Sequence, residues 1–335
     1  MAGSASDQDL GMATRAAWLS YIGGYTQGQI AERLGVSPVK VHRLIALAHQ
    51  HNVVKVFIEG APTECLALED ELKRHFDLST CLVAPETGGD ADPQSFASLG
   101  MVGARFLMRR LDEGAGGVIG IGHGRTLDAL ANAMPRLNRT DVQFVSLIGG
   151  LTRRSSAYSY DVVHRLVDRT GGEGFIMPVP FVADSIADVA VLMGQKIVRD
   201  VIGLAQRCHL ALVGVGALEP DAHMRQTGML TTEEYEDLRG AGAVGDLLGR
   251  FLDIEGQPVP CEVNHRTLGV SMEDLKGREV IAVAGGAGKA KAILATLRSG
   301  VLSGLITDEP AARRIVSLAK EESTAERRVP VQLNR

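Results

Sequence analysis

The sequence contains few of the features that build disulfides, metal sites or membrane spans. Its four cysteines, Cys65, Cys81, Cys208 and Cys261, lie far apart and form neither a CxxC pair nor a cluster with histidine. This spacing gives no support for zinc or redox motifs and is typical of buried thiols in a reducing compartment. No run of about 18 apolar residues occurs, and the N-terminus has no basic-then-apolar leader. We therefore expect a soluble cytoplasmic protein with no metal site, no cofactor and no membrane partner.

The chain also lacks a basic balance, because its formal net charge is -5 over 335 residues. Any contact with nucleic acid must then come from a local group of positive charges. The length suits two or three domains with a sizeable core. No internal repeat or low-complexity tract is visible.

Residues 25–50 predict two short helices joined by a tight turn. Thr26 is a good N-cap for the first helix, and Gly35 ends it where a positive φ is easiest. Ser37 caps the second helix, and Pro38 occupies its first position, where no amide hydrogen is needed. The pattern predicts a helix-turn-helix, whose second helix enters the major groove of DNA.

Residues 25–58 carry four basic side chains against one acidic side chain, a local positive surplus that is typical of phosphate contacts. A plain helical hairpin is the alternative interpretation. Arg43 is the best candidate for a guanine contact, because its planar fork matches guanine O6 and N7. The candidate DNA-binding residues are Thr26, Gln27, Ser37, Pro38, Lys40, His42 and Arg43.

The segments around this motif complete the expected domain plan. A helix at 10–23 should pack across the helix-turn-helix, a short strand at 52–60 could form a wing, and 62–77 should be a linking helix. The expected divisions are a helix-turn-helix DNA-binding domain at 9–60, a linker helix at 61–78 and an effector-binding and oligomerisation domain at 79–322.

From residue 79 onward, β-branched runs alternate with amphipathic helices. Alternation of this kind predicts an α/β fold with a mostly parallel sheet covered on both faces. The predicted strands are 79–84, 117–122, 142–148, 174–178, 209–215, 279–284 and 302–306. The predicted helices lie near 94–113, 125–134, 159–171, 184–203, 287–299 and 308–320. Parallel sheets bind ligands at the carboxyl ends of their strands.

Four predicted strand ends carry glycine-rich loops, within 120–130, 146–153, 212–218 and 282–293. One such loop is commonly a tight packing turn, but four on one edge of a sheet favour a pocket for a polar ligand. Backbone amides at helix starts attract anions, and Arg125, Thr126 and Lys289 could add donors. The candidate effector-binding residues are Gly122, His123, Gly124, Arg125, Thr126, Gly149, Gly150, Thr152, Gly214, Gly216, Asp246 and Lys289.

Two of these candidates have equally plausible other roles. His123 could be a general base, a ligand donor or a surface residue. Asp246 could bind a hydroxyl group or simply cap a turn. The nucleotide-binding motifs are absent: Ala290 rather than Ser or Thr follows Lys289, no third glycine completes a dinucleotide fingerprint, and there is no GxSxG elbow.

Taken in order, these motifs resemble the SorC family of bacterial sugar-responsive transcription regulators. The resemblance covers about residues 10–320 and rests on the helix-turn-helix, NVVKVFIEG, GIGHGRTL, LIGGLTR, VGVGAL, GAVGDLLGRFLD, AGGAGKAKAI and SGLITDE. Within the family, RAAWL, KVHRLIA, GHGRTL, FVSLIGGLTR and MPVPF look most like the erythritol catabolism repressors.

The resemblance implies an effector domain of the Rossmann-like, sugar-phosphate-isomerase type. It also implies a homo-oligomer on operator DNA, controlled by a small carbohydrate, polyol or sugar phosphate. Family effector contacts map to Gly122, Gly124, Arg125, Thr126, Gly149, Gly150, Thr152, Asp246 and Lys289. Many relatives have an aromatic residue where this chain has His123, which leaves the role of His123 open.

Two other functions are compatible with parts of the sequence. A sugar-phosphate isomerase or deaminase with a helical appendage would need an acid–base pair at the sugar carbons. Only His123, Asp184 and Asp246 lie near predicted strand ends, and they form no recognisable pair. A constitutive architectural DNA binder would leave the glycine loops unused.

Overall fold

The computed structural model describes residues 7–51, 53–54, 60–86, 93–114, 116–150, 162–219, 224 and 228–326. The chain divides into two compact units, Met1–Glu59 and Gly60–Arg335.

The first unit contains three α-helices around a small apolar core. They are α1 (Asp7–Ala17), α2 (Gln27–Leu34) and α3 (Pro38–Gln50). The core consists of short side chains from all three helices: Ala13, Ala16, Ala17, Ile30, Ala31, Val41, Leu44 and Ala48. Small residues of this kind let the three helices approach closely.

The local signals of the helix-turn-helix are confirmed. Thr26 and Gln29 form a reciprocal capping box at the start of α2. Gly35 has a φ of 64° and ends α2. The Ser37 hydroxyl accepts a hydrogen bond from the Lys40 amide at 3.2 Å, with Pro38 at the first position of α3.

Two predictions on the flanks of this motif have other outcomes. The single helix expected at 10–23 is wrong at its C-terminal end, where α1 gives way to the π-helix Trp18–Ile22. The Gly23 amide there reaches back to the carbonyl of Trp18, five residues earlier, at 3.0 Å. The strand predicted at 52–60 lies mostly outside the described residues.

The second unit is built on a seven-stranded sheet whose strands are all parallel. The strands are β1 (Thr80–Ala84), β2 (Gly117–Ile121), β3 (Val142–Ser146), β4 (Glu173–Phe175), β5 (Leu210–Val213), β9 (Glu279–Val283) and β10 (Gly304–Asp308). Their order in space is β1-β10-β9-β5-β2-β3-β4. All seven predicted strands are confirmed, with shifts of two residues or fewer at their starts.

A second, antiparallel sheet of three short strands was not predicted. It contains β6 (Val215–Ala217), β7 (Gly245–Leu247) and β8 (Arg250–Leu252), in that order. β6 begins two residues after β5 ends, so this sheet stands beside the carboxyl ends of the parallel strands.

Helices cover both faces of the parallel sheet. They are α4 (Thr63–Phe76), α5 (Pro93–Asp112), α6 (Arg125–Ala133), α7 (Val162–Thr170), α8 (Ile186–Met193), α9 (Lys196–Ala205), α10 (Thr232–Gly240), α11 (Glu262–Arg266), α12 (Ala290–Arg298) and α13 (Glu309–Glu326). Buried residues of α5, α6 and α7 form the core on one face, and those of α4, α9, α12 and α13 form the core on the other.

Two helical segments differ from what the sequence predicted. The helix expected at 184–203 is two helices, because Gln195 between α8 and α9 adopts an extended conformation with ψ of 138°. The segment expected to be a linking helix forms α4, which lies within the second unit. Its Leu72 is fully buried, and its Glu69 carboxylate accepts a hydrogen bond from the Val83 amide at 3.0 Å.

Gly149 and Gly150, which follow β3, provide a test of this packing. A Cβ on Gly149 would lie 2.2 Å from the Pro180 carbonyl oxygen, whereas a Cβ on Gly150 would meet nothing within 4 Å. We expect Gly149→Ala to lower the stability of the second unit by at least about 1–3 kcal/mol, because backbone must move to admit the methyl group. Gly150→Ala should stay within about 0.5 kcal/mol of wild type. Thermal unfolding measures both, and equal melting temperatures for the two variants would contradict the assigned packing.

Candidate functional site

The candidate effector site lies where three neighbouring parallel strands end. β9, β5 and β2 are adjacent in the sheet, so the loops after their carboxyl ends meet at one edge. These loops surround a cavity of about 240 Å³. Eight of the predicted effector residues line it, namely His123, Gly124, Arg125, Thr126, Gly214, Gly216, Asp246 and Lys289.

The other four predicted residues are placed differently. Gly122 is buried beside the cavity, and its amide bonds to the Leu212 carbonyl at 2.8 Å, which joins β2 to β5. Gly149 and Gly150 do not line the cavity, because Gly149 packs against the backbone at Pro180. Thr152 lies outside the described residues.

Asp246 on β7 is the most buried acidic group of the cavity, with 6% of its surface exposed. Its Oδ2 accepts a hydrogen bond from the Gly249 amide at 2.9 Å. Its Oδ1 has no hydrogen-bond partner among the described residues. A buried carboxylate oxygen without a donor is costly, so this atom is prepared to accept a hydrogen bond from a ligand.

Gly216 is required by the position of this carboxylate. Gly216 pairs with Asp246 across β6 and β7, and a Cβ on Gly216 would lie 1.9 Å from Asp246 Oδ1. Any side chain at 216 would therefore displace the carboxylate. The glycine predicted as a ligand contact has this second, structural role.

Lys289 places a cation in the same cavity. Its Nζ donates a hydrogen bond to the Val215 carbonyl at 2.9 Å. Lys289 ends the short 3₁₀ turn Ala287–Lys289 and directly precedes α12, one turn earlier in the structure than the first turn of a helix that the sequence predicted. The ammonium group retains further donor capacity after this one bond.

The pKa values of these two groups move toward each other. Burial raises the pKa of Asp246 to about 6, against the opposing effects of the Gly249 amide and the Lys289 charge. Burial and the Arg125 charge lower the pKa of Lys289 to about 8, while Asp246 and Asp308 act in the other direction. Both side chains are charged between these two values, around neutral pH.

The glycines after β9 proved to serve a carboxylate that the sequence analysis missed. Asp308 ends β10 and is buried, and its Oδ2 accepts a hydrogen bond from the Gly286 amide at 2.7 Å. A Cβ on Gly285 would lie 2.3 Å from the same oxygen. The expectation that Gly285 and Gly286 leave backbone open to a ligand is therefore wrong for the Gly286 amide, which Asp308 already occupies.

The loop after β2 supplies the remaining polar groups. The Thr126 hydroxyl is buried and donates to the Val283 carbonyl at 2.6 Å, which ties the start of α6 to β9. Arg125 is exposed, and its guanidinium lies 4.8 Å from the centre of the Phe96 ring. The His123 ring meets the Phe181 ring edge to face, with centroids 5.8 Å apart.

Several lining residues carried no sequence signal that pointed to a pocket. They are Phe96, Ile148, Val215, Ala217, Glu219, Met224, Leu248, Gly285, Gly286 and Gly288. Phe96 belongs to a long helix remote in sequence, and Leu248 belongs to the turn of an unpredicted hairpin, so only the fold brings them together.

The candidate DNA-binding residues occupy the surface of the first unit. Thr26 and Gln27 begin α2, Ser37 and Pro38 begin α3, and Lys40, His42 and Arg43 lie on its exposed side. All seven are exposed. The buried residues of α3 are Val41, Leu44 and Ala48, so the polar face is the one free to contact a groove.

Two classes of site find no support in the described part of the chain. No group of three or more His, Cys, Asp or Glu side chains there could hold a metal ion. No helix in that part is long and apolar enough to cross a membrane.

The burial of Asp246 should cost stability above pH 6. Its folded-state pKa of about 6 exceeds its usual value of 3.8, so the folded state loses stability as pH rises from about 4 to 6. We expect Asp246→Asn to be more stable than wild type at pH 7.5 by up to about 3 kcal/mol, and equally stable near pH 4. Melting temperatures at both pH values test this, with exposed Asp237→Asn on α10 as the control. A variant that is less stable than wild type at pH 7.5 would contradict it.

Comparison with known proteins agrees with the two-unit architecture and the cavity. Residues 61–317 match the "Putative sugar-binding domain" family. The chain is 42% identical over 311 residues to the erythritol catabolism regulatory protein EryD of Brucella abortus, an alignment that covers 93% of this chain and 98% of that protein. It is 33% identical to the transcriptional regulator LsrR of Klebsiella pneumoniae, covering 92% of this chain and 93% of the other.

A solved structure shares the fold over nearly the whole chain. The full-length sorbitol operon regulator SorC from Klebsiella pneumoniae superimposes with a TM-score of 0.67 at 25% identity, covering 92% of this chain and all of that one. The predicted resemblance is confirmed: the chain belongs to the SorC family of transcriptional regulators that carry this sugar-binding domain.

Proposed function

We propose that this protein is an effector-controlled repressor of a carbohydrate or polyol catabolic operon. In this proposal the first unit binds operator DNA and the cavity of the second unit binds a small sugar, polyol or sugar phosphate. The observation that carries the proposal is the cavity itself, with an unpartnered buried carboxylate oxygen on Asp246 and the Lys289 ammonium beside it. An erythritol-related effector is favoured by the similarity to the Brucella regulator.

The size and polarity of the cavity suit a small hydroxylated molecule. Its volume of about 240 Å³ falls below the range of roughly 300–1,000 Å³ that is typical of pockets for drug-sized ligands. A polyol has little apolar surface, so its affinity must come from aligned hydrogen bonds. Asp246 Oδ1 would accept a hydroxyl hydrogen, and Lys289 would donate to an oxygen.

Arg125 provides a place for a phosphate on the effector. It opens α6, whose amino end attracts anions, and its guanidinium is exposed over Phe96 at the cavity wall. The Thr126 hydroxyl hydrogen is already directed to Val283, so the Thr126 side chain would act as an acceptor or a support. A phosphorylated and a free polyol would then share the Asp246 end of the cavity and differ at Arg125.

The enzyme alternative uses only part of the molecule. An isomerase or deaminase would employ Asp246 or His123 in proton transfer but would leave the capped helix-turn-helix without a role. The relatives described above are regulators. The proposed function employs both units.

Operator recognition sets a requirement on assembly. One helix-turn-helix reads one half-site, which gives too little specific affinity at cellular salt. We therefore propose that the protein acts as a dimer or tetramer on two-fold related half-sites. Because operator DNA lies in the bacterial cytoplasm, the proposal also places the protein there.

The effector site is tested by Lys289→Ala, with Lys291→Ala as a matched control. Lys291 is exposed on α12, two residues from Lys289. Removal of the cavity cation should weaken the effector by about 1.5–3 kcal/mol, while operator binding without effector stays near wild type. Operator release titrated with erythritol, erythritol phosphate and related tetritols measures this. A Lys289→Ala protein that responds at the wild-type concentration would place Lys289 outside the effector site.

The DNA interface is tested by Arg43→Ala, with Arg15→Ala on α1 as a control for the loss of one positive charge. The operator for this assay is selected from random DNA by the wild-type protein. We expect Arg43→Ala to cost about 1–3 kcal/mol on the operator and less on unselected DNA. Equal losses on both DNAs would reduce Arg43 to a phosphate contact. No loss on either would exclude α3 as the recognition helix.

A further inference from the structure

Helix α8 is apolar on every side, yet none of its residues is buried. Its sequence is IADVAVLM, and Asp188 is its only polar residue. A helix that is hydrophobic all round is normally enclosed by protein. Something that the isolated chain does not provide must therefore cover part of α8.

The two faces of α8 differ in what they contact. Val189, Leu192 and Met193 are half-buried and pack against the main core of the second unit. Ile186, Ala187, Ala190 and Val191 are exposed, and their spacing places them along one outer stripe. We call this stripe, together with the neighbouring Ile197 of α9, the α8 surface.

We propose that the α8 surface is where a second copy of this chain packs, across a two-fold axis. The inference rests on the proposed operator binding, which needs two helix-turn-helix units on one DNA.

The apolar area of this surface matches the centre of a stable dimer interface. Ile186, Val191 and Ile197 are 56%, 62% and 61% exposed. Each therefore offers on the order of 100 Å² of apolar surface, and the alanines add more. A standard interface buries about 800 Å² on each partner, with an apolar centre and a polar rim.

The chemistry of the α8 surface favours protein over other occupants. α8 carries no basic residue, so it lacks the cations that a membrane surface or a nucleic acid would require. Its one charge, Asp188, is held at the amino end of α8 by the Ser185 hydroxyl at 2.7 Å. In the first turn of α9, Lys196 is paired with Asp200 at 2.6 Å.

The arrangement of side chains also suits a self-complementary contact. In a two-fold interface the same surface meets itself, so the centre must be free of charge and able to approach closely. Ala187 and Ala190 occupy the middle of the outer stripe, with larger side chains at 186 and 191 on either side. Two α8 helices can then pack with the large side chains of one beside the alanines of the other.

The test is the mass of the full-length protein by light scattering at micromolar concentration. The variant carries Ile186→Lys and Val191→Lys, and the control carries Leu66→Lys, since Leu66 on α4 is also a large exposed apolar residue, with 48% exposure. All three positions are exposed, so melting temperatures should stay close to wild type. We expect the double variant to have half the wild-type mass, and the control to keep the wild-type mass.

A second measurement detects the contact directly. Ala190→Cys should form a disulfide between two copies under mild oxidation, because Ala190 would lie near the two-fold axis. Absence of this cross-link together with an unchanged mass of the double variant overturns the inference. So does a wild-type protein that is monomeric, or a mass that halves in the control and not in the double variant.

Operator binding separates a failure of this inference from a failure of the proposed function. If wild-type protein binds the selected operator, the double variant should bind at least about tenfold more weakly while keeping its effector affinity. If wild-type protein binds no operator at all, the proposed function fails whatever the masses show. If it binds and the double variant binds equally well, the α8 surface is not the contact between copies.

Discussion

The site of this protein depends on one constraint, the side-by-side parallel alignment of β9, β5 and β2. Parallel strands end at the same edge of a sheet, so three loops that are far apart in sequence meet there without any further device. The Thr126 hydroxyl then joins the loop after β2 to β9, and Lys289 joins the loop after β9 to the strand that follows β5. The walls of the cavity are thus bonded to one another before any ligand arrives.

Two carboxylates at this edge show how a missing side chain can position a charge. Asp246 stands over Gly216, and Asp308 stands over Gly285. Asp308 is satisfied by two amides, those of Gly286 and Ala311, whereas Asp246 keeps one oxygen without a described partner. The first carboxylate holds the loop in place, and the second bears a desolvation cost that a ligand donor could relieve.

How far the sequence predicted this structure depends on how local each signal was. β-branched runs predicted the seven parallel strands, because strands buried on both faces need continuous apolar sequence. Thr26, Gly35, Ser37 and Pro38 predicted the helix-turn-helix, because caps and turns are decided within four residues. The hairpin of β7 and β8 was missed because DLLGRFL contains no alternation, and its pairing is visible only beside β6.

The candidate site was predictable as a location and much less as a set of contacts. A glycine after a strand shows that backbone or ligand comes close, but not which one. Gly149 serves packing against Pro180, and Gly285 serves Asp308. Asp308 itself was missed because a carboxylate that ends a strand in ITDEP reads as a helix cap. It does cap α13, through the Ala311 amide at 3.0 Å, and it does so while holding Gly286.

The path from the cavity to α8 is short and firmly held. Phe181 touches the His123 ring at the cavity wall, and five residues later the chain enters α8. Between them, the Ala183 amide donates to the Arg266 carbonyl at 2.9 Å, and the Arg266 guanidinium donates to the carbonyls of Ala183 and Asp184. Arg266 is buried and paired with Glu234 at 2.7 Å, so it is not free to shift alone.

This connection has a thermodynamic consequence for regulation. An effector that displaces the His123–Phe181 contact acts on a segment that leads directly into the proposed contact between copies. If effector and self-association are coupled in this way, the coupling must be reciprocal: whatever factor the effector imposes on association, association imposes on effector affinity. An effector that touches only Asp246 and Lys289, and leaves Phe181 in place, has no differential contact by which to alter α8 along this path. The regulatory question for this protein therefore narrows to whether the bound effector reaches His123.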